Sequence, residues 1–152
     1  MGGTTVALAG GELGIIATAG ISNKWRTRHT LQQTSVNADL SGEPQTSFNR
    51  IVTDDRVVAN ALLGFGLELD DHRIRWTSLY IRDTLKQARL GLGTDRNQSD
   101  RDIMKQDTAW YERQLINTQL VGEFEFDRLS VDLRGGYANS QREAPYELDF
   151  EY

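Results

Sequence analysis

The strongest constraint in this sequence is an alternation of apolar and polar residues with a period of two. Near the C-terminal end, Leu129, Val131 and Leu133 occupy every second position and are separated by Asp132 and other polar residues. Successive side chains of a β-strand point to opposite faces, so this pattern predicts strands with one apolar and one polar face. Such strands suit a wall that separates hydrocarbon from water.

The alternation recurs along the chain and predicts about six strands. The longest apolar face runs from Val57 to Leu69, whereas the faces of the return strand, residues 74–85, are not cleanly separated. We therefore expect an all-β protein, an antiparallel up-and-down set of hairpins that forms part of a transmembrane β-barrel. The predicted strands lie near residues 4–8, 13–25, 57–69, 74–85, 116–126 and 129–137.

The predicted connections alternate between short and long. Short turns are expected at Gly10 to Glu12, Asp70 to Arg73 and Asp127-Arg128, and long polar loops at residues 26–55 and about 87–106. Outer-membrane barrels have short periplasmic turns and longer extracellular loops, so the pattern predicts short inner turns and long outer loops.

The same alternation predicts which side chains face lipid and which face the barrel lumen. The first group is apolar and the second is polar or charged. The predicted lipid-facing residues are Leu63, Phe65, Leu67, Ile116, Leu120, Phe124, Leu129, Val131 and Leu133. The predicted lumen-facing residues are Asn117, Gln119, Glu123, Asp132 and Arg134.

Composition excludes several classes of protein. The chain has no cysteine, and its 22 acidic residues outnumber 17 basic ones without a dense Lys/Arg cluster, so we expect no thiolate chemistry and no nucleic-acid partner. No stretch of about 18 consecutive apolar residues exists, which argues against a transmembrane helix. The first residues do not form a secretory signal, so for an exported protein we expect the true N-terminus to lie outside this sequence.

No motif for catalysis, metal binding or cofactor binding is found. His29 and His72 lack a second ligand at metal spacing and are expected to be solvated polar residues. We interpret the aspartates as turn residues, because Asp side chains bond nearby backbone. These are Asp54, Asp55, Asp70, Asp71, Asp95, Asp100 and Asp102. We therefore expect no enzymatic activity, no cofactor and no metal.

Four segments resemble the barrel region of TonB-dependent outer-membrane receptors. They are Asn60 to Leu69, Tyr80 to Gly91, Asp107 to Gln119 and Leu133 to Tyr146, and the resemblance covers roughly residues 57–146. Residues 1–56 match by strand pattern alone.

The resemblance implies a Gram-negative uptake receptor, located in the outer membrane, with a plugged barrel of about 22 strands. Such a receptor contacts outer-membrane lipid and binds a scarce extracellular ligand, a siderophore or other nutrient, whose identity and binding residues the sequence does not reveal. The full-length receptor also engages the inner-membrane TonB energy-transducing protein. We expect residues 1–152 to be a single segment of the barrel domain, without a plug domain.

Alternatives remain open from the sequence. The chain could be a small soluble β-rich ligand-binding module or a small closed outer-membrane barrel. The spacing of Ile81, Leu85, Ala88 and Leu92 also allows a short amphipathic helix. Residues 146–152 are expected to begin a further, truncated strand, although they also resemble the terminal strand of an outer-membrane protein.

Overall fold

A computed structural model describes residues 1–39 and 41–152, with the side chains of Ser99 and Asp100 left outside the description. The predicted turn role of the Asp100 side chain therefore lies outside the described residues. The described strands form one antiparallel up-and-down sheet in the order β1-β2-β3-β4-β5-β6, which confirms the all-β prediction. The sheet is open, with β1 and β6 at its edges. The strands are β1 (Gly2–Leu8), β2 (Gly11–Ser35), β3 (Pro44–Leu69), β4 (His72–Asp95), β5 (Ser99–Phe126) and β6 (Leu129–Glu151).

Tight turns occur at the three predicted positions, each with two residues between the strands. The backbone φ angle is positive at Gly10 (89°), Asp70 (49°) and Asp127 (45°). Glycine reaches this region without a Cβ clash, and aspartate tolerates it better than most residues. The Asp70 amide donates a hydrogen bond to the Gly10 carbonyl over 3.1 Å, so these two turns lie side by side.

The prediction of long outer loops is wrong. Most of residues 26–55 belong to β2 and β3, and most of residues 87–106 belong to β4 and β5. Polar side chains pair across β2 and β3, where the Thr27 and Thr53 hydroxyls lie 3.1 Å apart. A strand ladder satisfies the backbone whatever the side chains are, so a polar sequence with cross-strand hydrogen bonds forms sheet as readily as loop.

Three further expectations change in β4 and β6. Residues 81–92 lie in β4, so the helix alternative is wrong. The faces of residues 74–85 are now resolved, because Trp76 stacks on Phe65 whereas Arg75 pairs with Glu123 on the other face. Residues 146–152 do not begin a separate strand, since they continue β6 and Tyr152 exchanges backbone hydrogen bonds of 2.8 and 3.0 Å with Met104.

The chain divides into two compact units, which we describe separately. The first unit comprises residues 1–22, 58–83 and 113–142, and the second comprises residues 23–57, 84–112 and 143–152. The buried apolar side chains of the described residues are Phe48, Val52 and Ile103, all in the second unit. Within the described part of the first unit, no large apolar side chain is buried.

Candidate functional site

One face of the first unit is apolar and uncovered. It carries the nine residues predicted to face lipid, and each of them is exposed or half-buried. Phe65 and Trp76 stack on this face with their ring centroids 5.4 Å apart. Ser78 and Thr118 on the neighbouring strands pair their hydroxyls over 2.9 Å, so polar groups on this face satisfy each other. We call this surface the apolar face.

The leucine side chains on the apolar face are unusually exposed for large apolar residues. Leu120 is 50% exposed, Leu129 61% and Leu133 59%. Proteins that are surrounded by water rarely leave so many large apolar side chains in one contiguous patch, and such patches mark contact with a protein or a membrane. The apolar face therefore requires an apolar neighbour.

The opposite face of the first unit is polar. Gln119, Glu123 and Arg134, all predicted to face the lumen, line one cavity of about 630 Å³ together with Arg75 and Thr77. Asn117 and Asp132 fall on the same face by strand alternation. The structure thus brings the five predicted residues onto one surface, which we call the polar face.

Ion pairs cross the strands of the polar face. Arg75 lies 3.2 Å from Glu123, and Arg73 lies 3.3 Å from Glu68. The Arg75 side chain is 64% exposed, and exposed pairs contribute only about 0–1 kcal/mol to stability. These groups matter more for the chemistry of the surface than for holding the sheet together.

The second unit has a charged network around its small apolar core. Arg28 and Gln87 both donate hydrogen bonds to Asp54, and the Arg28–Asp54 pair spans 2.7 Å. The Lys105 ammonium lies 5.1 Å from the centroid of the Phe48 ring, and Lys105 also pairs with a glutamate on β6. The unit is therefore rich in paired charges where the sequence suggested loop.

Asp107, also in the second unit, has a perturbed carboxyl group. Partial burial raises its pKa, and so do a hydrogen bond with Asp149 and the negative charge of that residue. Arg50 and Arg89 oppose the increase. Two neighbouring carboxylates cannot both ionise without cost, so the pair holds a proton more tightly than an isolated aspartate.

Another surface of the second unit forms a groove of about 420 Å³ lined mainly by aromatic and small side chains. Trp25, Trp110 and Tyr146 contribute the rings, and Asp55 and Lys86 contribute charges. The Lys86 ammonium lies 4.9 Å from the centroid of the Trp110 ring, a cation–π distance. We call this site the aromatic groove.

The histidines and acidic residues do not form a metal site within the described residues. His72 nevertheless differs from the expected solvated residue, because its ring packs against Phe126 and Phe124 at centroid distances of 5.0 and 5.8 Å. The turn beside it brings the imidazole over the end of β5. His29 lies in β2, where it lines a cavity with Leu31 and Leu90.

Sequence reasoning missed the aromatic groove, the Asp54 network and Arg75. The Asp54 network and only part of the groove, including Asp55, fall in segments that their polar composition assigned to loops, and Arg75 lies in the strand whose phase was ambiguous. The signal that was available in these segments is the period of two that every strand has. It places Thr27 and His29 on one face of their strand, and Thr46 and Phe48 on one face of theirs.

Within the described residues, no helix is long and apolar enough to cross a membrane. No family model matches the chain, and no curated protein matches it significantly.

Proposed function

We propose that this chain forms part of the barrel wall of a TonB-dependent outer-membrane receptor. The observation that carries the proposal is the first unit, in which an uncovered apolar face lies opposite a polar face that bears ion pairs. A wall between lipid and a water-filled or plugged lumen needs both faces. The apolar face would contact outer-membrane lipid, and the polar face would line the lumen.

Strand length supports this assignment. Strand β3 contributes Val58 to Leu69 to the first unit, and β4 contributes His72 to Asp83. About 12 residues at roughly 3.4 Å each, tilted by about 45°, rise about 29 Å, which is enough to cross an apolar band of about 25 Å. Each strand has the length needed to cross the hydrocarbon.

Aromatic residues also lie where an interfacial belt would place them. Phe124 and Phe126 lie beside the tight turn that ends β5, together with the His72 ring. Trp, Tyr and Phe at the two ends of a membrane band are typical of outer-membrane barrels.

A soluble ligand-binding module is less well supported. Its fold would need a core, whereas the buried apolar side chains among the described residues are only Phe48, Val52 and Ile103. The small closed barrel is likewise less favoured, since β1 and β6 are edge strands of the sheet.

The receptor identity rests on the four segments between residues 57 and 146. It implies uptake of a scarce ligand, such as a siderophore, through a barrel of about 22 strands to which this chain contributes six. The TonB energy-transducing protein would act on the full-length receptor. We propose no catalytic step.

Cysteine labelling tests the orientation, because the chain contains no native cysteine. Leu120→Cys and Gln119→Cys are neighbours on opposite faces of β5. After reconstitution into phospholipid vesicles, we expect the Leu120→Cys thiol to react with a lipid-soluble maleimide but not with a charged one. The Gln119→Cys thiol should show the reverse preference. Equal labelling of both positions by the charged reagent would refute the membrane assignment.

The flanking coding sequence tests the receptor identity separately. We expect the same reading frame to encode a plug domain upstream and more two-faced strands downstream. In-frame stop codons on both sides, with neither segment present, would contradict the receptor while leaving the labelling result intact.

A further inference from the structure

The second unit carries a concentration of positive charge on one face of its sheet. Lys24, Arg26 and Arg28 occupy alternate positions of β2, so their side chains leave the same face. Residues at alternate positions of a strand lie only about 7 Å apart. The whole chain is acidic, with 22 acidic and 17 basic residues, so this concentration does not follow from composition.

Arg50 of β3 belongs to the same face. The Thr27 and Thr53 hydroxyls lie 3.1 Å apart across β2 and β3. Counting along the two antiparallel strands from that pair places Arg50 opposite Thr30. Arg50 is therefore a diagonal neighbour of Arg28, at about 7–8 Å between backbones.

Arg89 of β4 lies on the other side of β3. Gln87 donates a hydrogen bond to Asp54 across β3 and β4, and two residues further along Arg89 falls opposite Val52. The face thus gathers basic side chains from three neighbouring strands. We call this set the basic patch, and its members are Lys24, Arg26, Arg28, Arg50 and Arg89.

Only part of the positive charge is neutralised within the described residues. Arg28 pairs with Asp54 over 2.7 Å. Lys24 and Arg26 are exposed and make no hydrogen bond or ion pair with another described residue. Like charges at such distances destabilise a sheet, so the basic patch costs stability unless an anion binds there.

The side chains of the basic patch favour oxyanions. A guanidinium presents five donors in a planar fork that matches phosphate or carboxylate, and four of the five members are arginines. Arg26 and Arg89 are exposed, and the Arg28 side chain is 39% exposed. Terminal nitrogens of these residues can therefore be reached from solvent.

Acidic side chains on the next strands limit the size of the partner. Arg50 and Arg89 lie close enough to Asp107 of β5 to oppose the increase in its pKa. Asp149 and Glu151 follow on β6. An extended polyanion laid across the strands would meet these carboxylates and be repelled. The basic patch therefore suits a compact solute better than a polymer.

We propose that the basic patch binds a compact solute that carries at least two oxyanion groups, phosphate or carboxylate. Lys24 and Arg26 on β2 donate to one group. Arg50 and Arg89 donate to another, which lies within about 10 Å of the first because β2 and β4 are two strand spacings apart. The inference rests on the proposed function in one respect, since it names the charge class of the ligand that the receptor takes up.

Isothermal titration calorimetry on the full chain in non-ionic detergent micelles tests the proposal. The probes are tripolyphosphate, citrate and the neutral sugar maltotriose. We expect binding of at least one anion and no binding of maltotriose. Binding of one anion alone supports the proposal and assigns the basic patch to phosphate or to carboxylate groups. Failure of both anions to bind would overturn it.

A charge-matched pair of double variants locates the binding. Lys24→Gln with Arg26→Gln should weaken anion binding at least about fivefold, because two donors and two charges are lost. Arg73→Gln with Arg128→Gln removes the same charge beside tight turns of the first unit and should change the affinity less than about twofold. Equal weakening by the two double variants would show that net charge attracts the anions and would overturn the assignment to the basic patch.

A variant with the opposite expected effect guards against loss of binding through misfolding. Asp54→Asn removes the acid within the basic patch and keeps an oxygen that accepts from Arg28. We expect it to tighten anion binding about threefold. Asp71→Asn makes the same charge change at a tight turn of the first unit and should leave the affinity unchanged. Weaker binding by Asp54→Asn would contradict the proposal.

The cysteine labelling of Leu120→Cys and Gln119→Cys separates this inference from the proposed function. If neither anion binds while the two thiols label as expected, the ligand class alone is refuted. If an anion binds but both thiols react equally with the charged maleimide, the barrel wall is refuted, and the bound solute is then not the ligand of an uptake receptor.

Discussion

Some glycines of this sheet occupy positions where a methyl group has no room. A Cβ added to Gly93 in β4 would lie 1.9 Å from the Ser47 carbonyl oxygen and 2.6 Å from Phe48 Cα. Both obstacles are backbone atoms of β3, which cannot move without disturbing the ladder. A Cβ added to Gly135 in β6 would meet no atom within 4 Å.

We therefore predict that Gly93→Ala lowers the free energy of unfolding by about 1–3 kcal/mol, the usual cost of overpacking. Gly135→Ala is the matched control and should leave stability nearly unchanged. Urea unfolding of the chain folded in detergent micelles would measure both changes. Similar midpoints for Gly93→Ala and the unmodified chain would contradict the close approach of β3 and β4.

The Asp107 carboxyl gives a pH-dependent prediction in the second unit, outside the segments that we propose to cross the membrane. Its pKa in the folded chain lies above the ordinary value because of burial and of Asp149. Between the ordinary and the raised pKa, the folded state binds more protons than the unfolded state, so stability falls as pH rises through this window. At neutral pH the charged carboxylate is therefore destabilising.

We expect Asp107→Asn to stabilise the chain at pH 7 and to have little effect on stability at pH 3. Denaturant unfolding at the two pH values would measure this difference. An equal change at both pH values would show that the effect comes from the amide itself and not from titration.

At the scale of the strand, the sequence predicted the elements of the first unit well and those of the second poorly. Alternation of leucine with charged residues identified β6 near Leu133, because hydrocarbon and water select opposite side chains. In the second unit, both faces of the strands contain polar residues, so apolar and polar residues do not alternate along the sequence. The pairing of Gln33 with Ser47 over 3.1 Å is a tertiary contact that one strand alone cannot show.

Candidate site residues were likewise predicted in the first unit and missed in the second. The members of the apolar face and of the polar face of the first unit could be predicted wherever the two faces differ in polarity. The aromatic groove could not, since it assembles Trp25, Lys86 and Tyr146 from three strands that are far apart in sequence. Nothing in the spacing of these residues indicates that they meet.

Amide hydrogen exchange would distinguish polar strands from polar loops. We expect the amides of residues 27–34 and 46–53 that bond between strands to exchange at least about tenfold more slowly than those of the connection at residues 36–39, because ladder amides open rarely. The expected boundary lies near Ser35, where β2 ends. Uniformly fast exchange from residue 26 to residue 55 would restore the loop interpretation.

At the scale of the molecule, the uncovered apolar face decides how the chain behaves in water. Leu120 is 50% exposed and Leu133 is 59% exposed. In addition, β6 is an edge strand, so the backbone groups on its outer side have no partner strand. Both features favour association between chains. We expect the chain to aggregate in plain buffer and to remain dispersed in detergent. Analytical ultracentrifugation would measure this, and a stable monomer without detergent would contradict it.

A sharper test compares neighbouring leucines on β3. Leu63 lies on the apolar face, 38% exposed, whereas Leu62 falls on the polar face with Asn60 by strand alternation. Both lie near the middle of the β3 segment in the first unit. An arginine on the lipid face near the bilayer midplane costs about 2–4 kcal/mol, because the guanidinium must leave water.

We therefore predict that Leu63→Arg raises the free energy of folding into phospholipid vesicles by about 2–4 kcal/mol and that Leu62→Arg raises it by less than about 1 kcal/mol. The two variants share residue type, strand and depth, so helix or strand propensity cannot explain a difference between them. Reversible urea titration in vesicles would measure both values. Equal costs would show that the two faces of β3 meet the same solvent, which a wall between lipid and lumen does not allow.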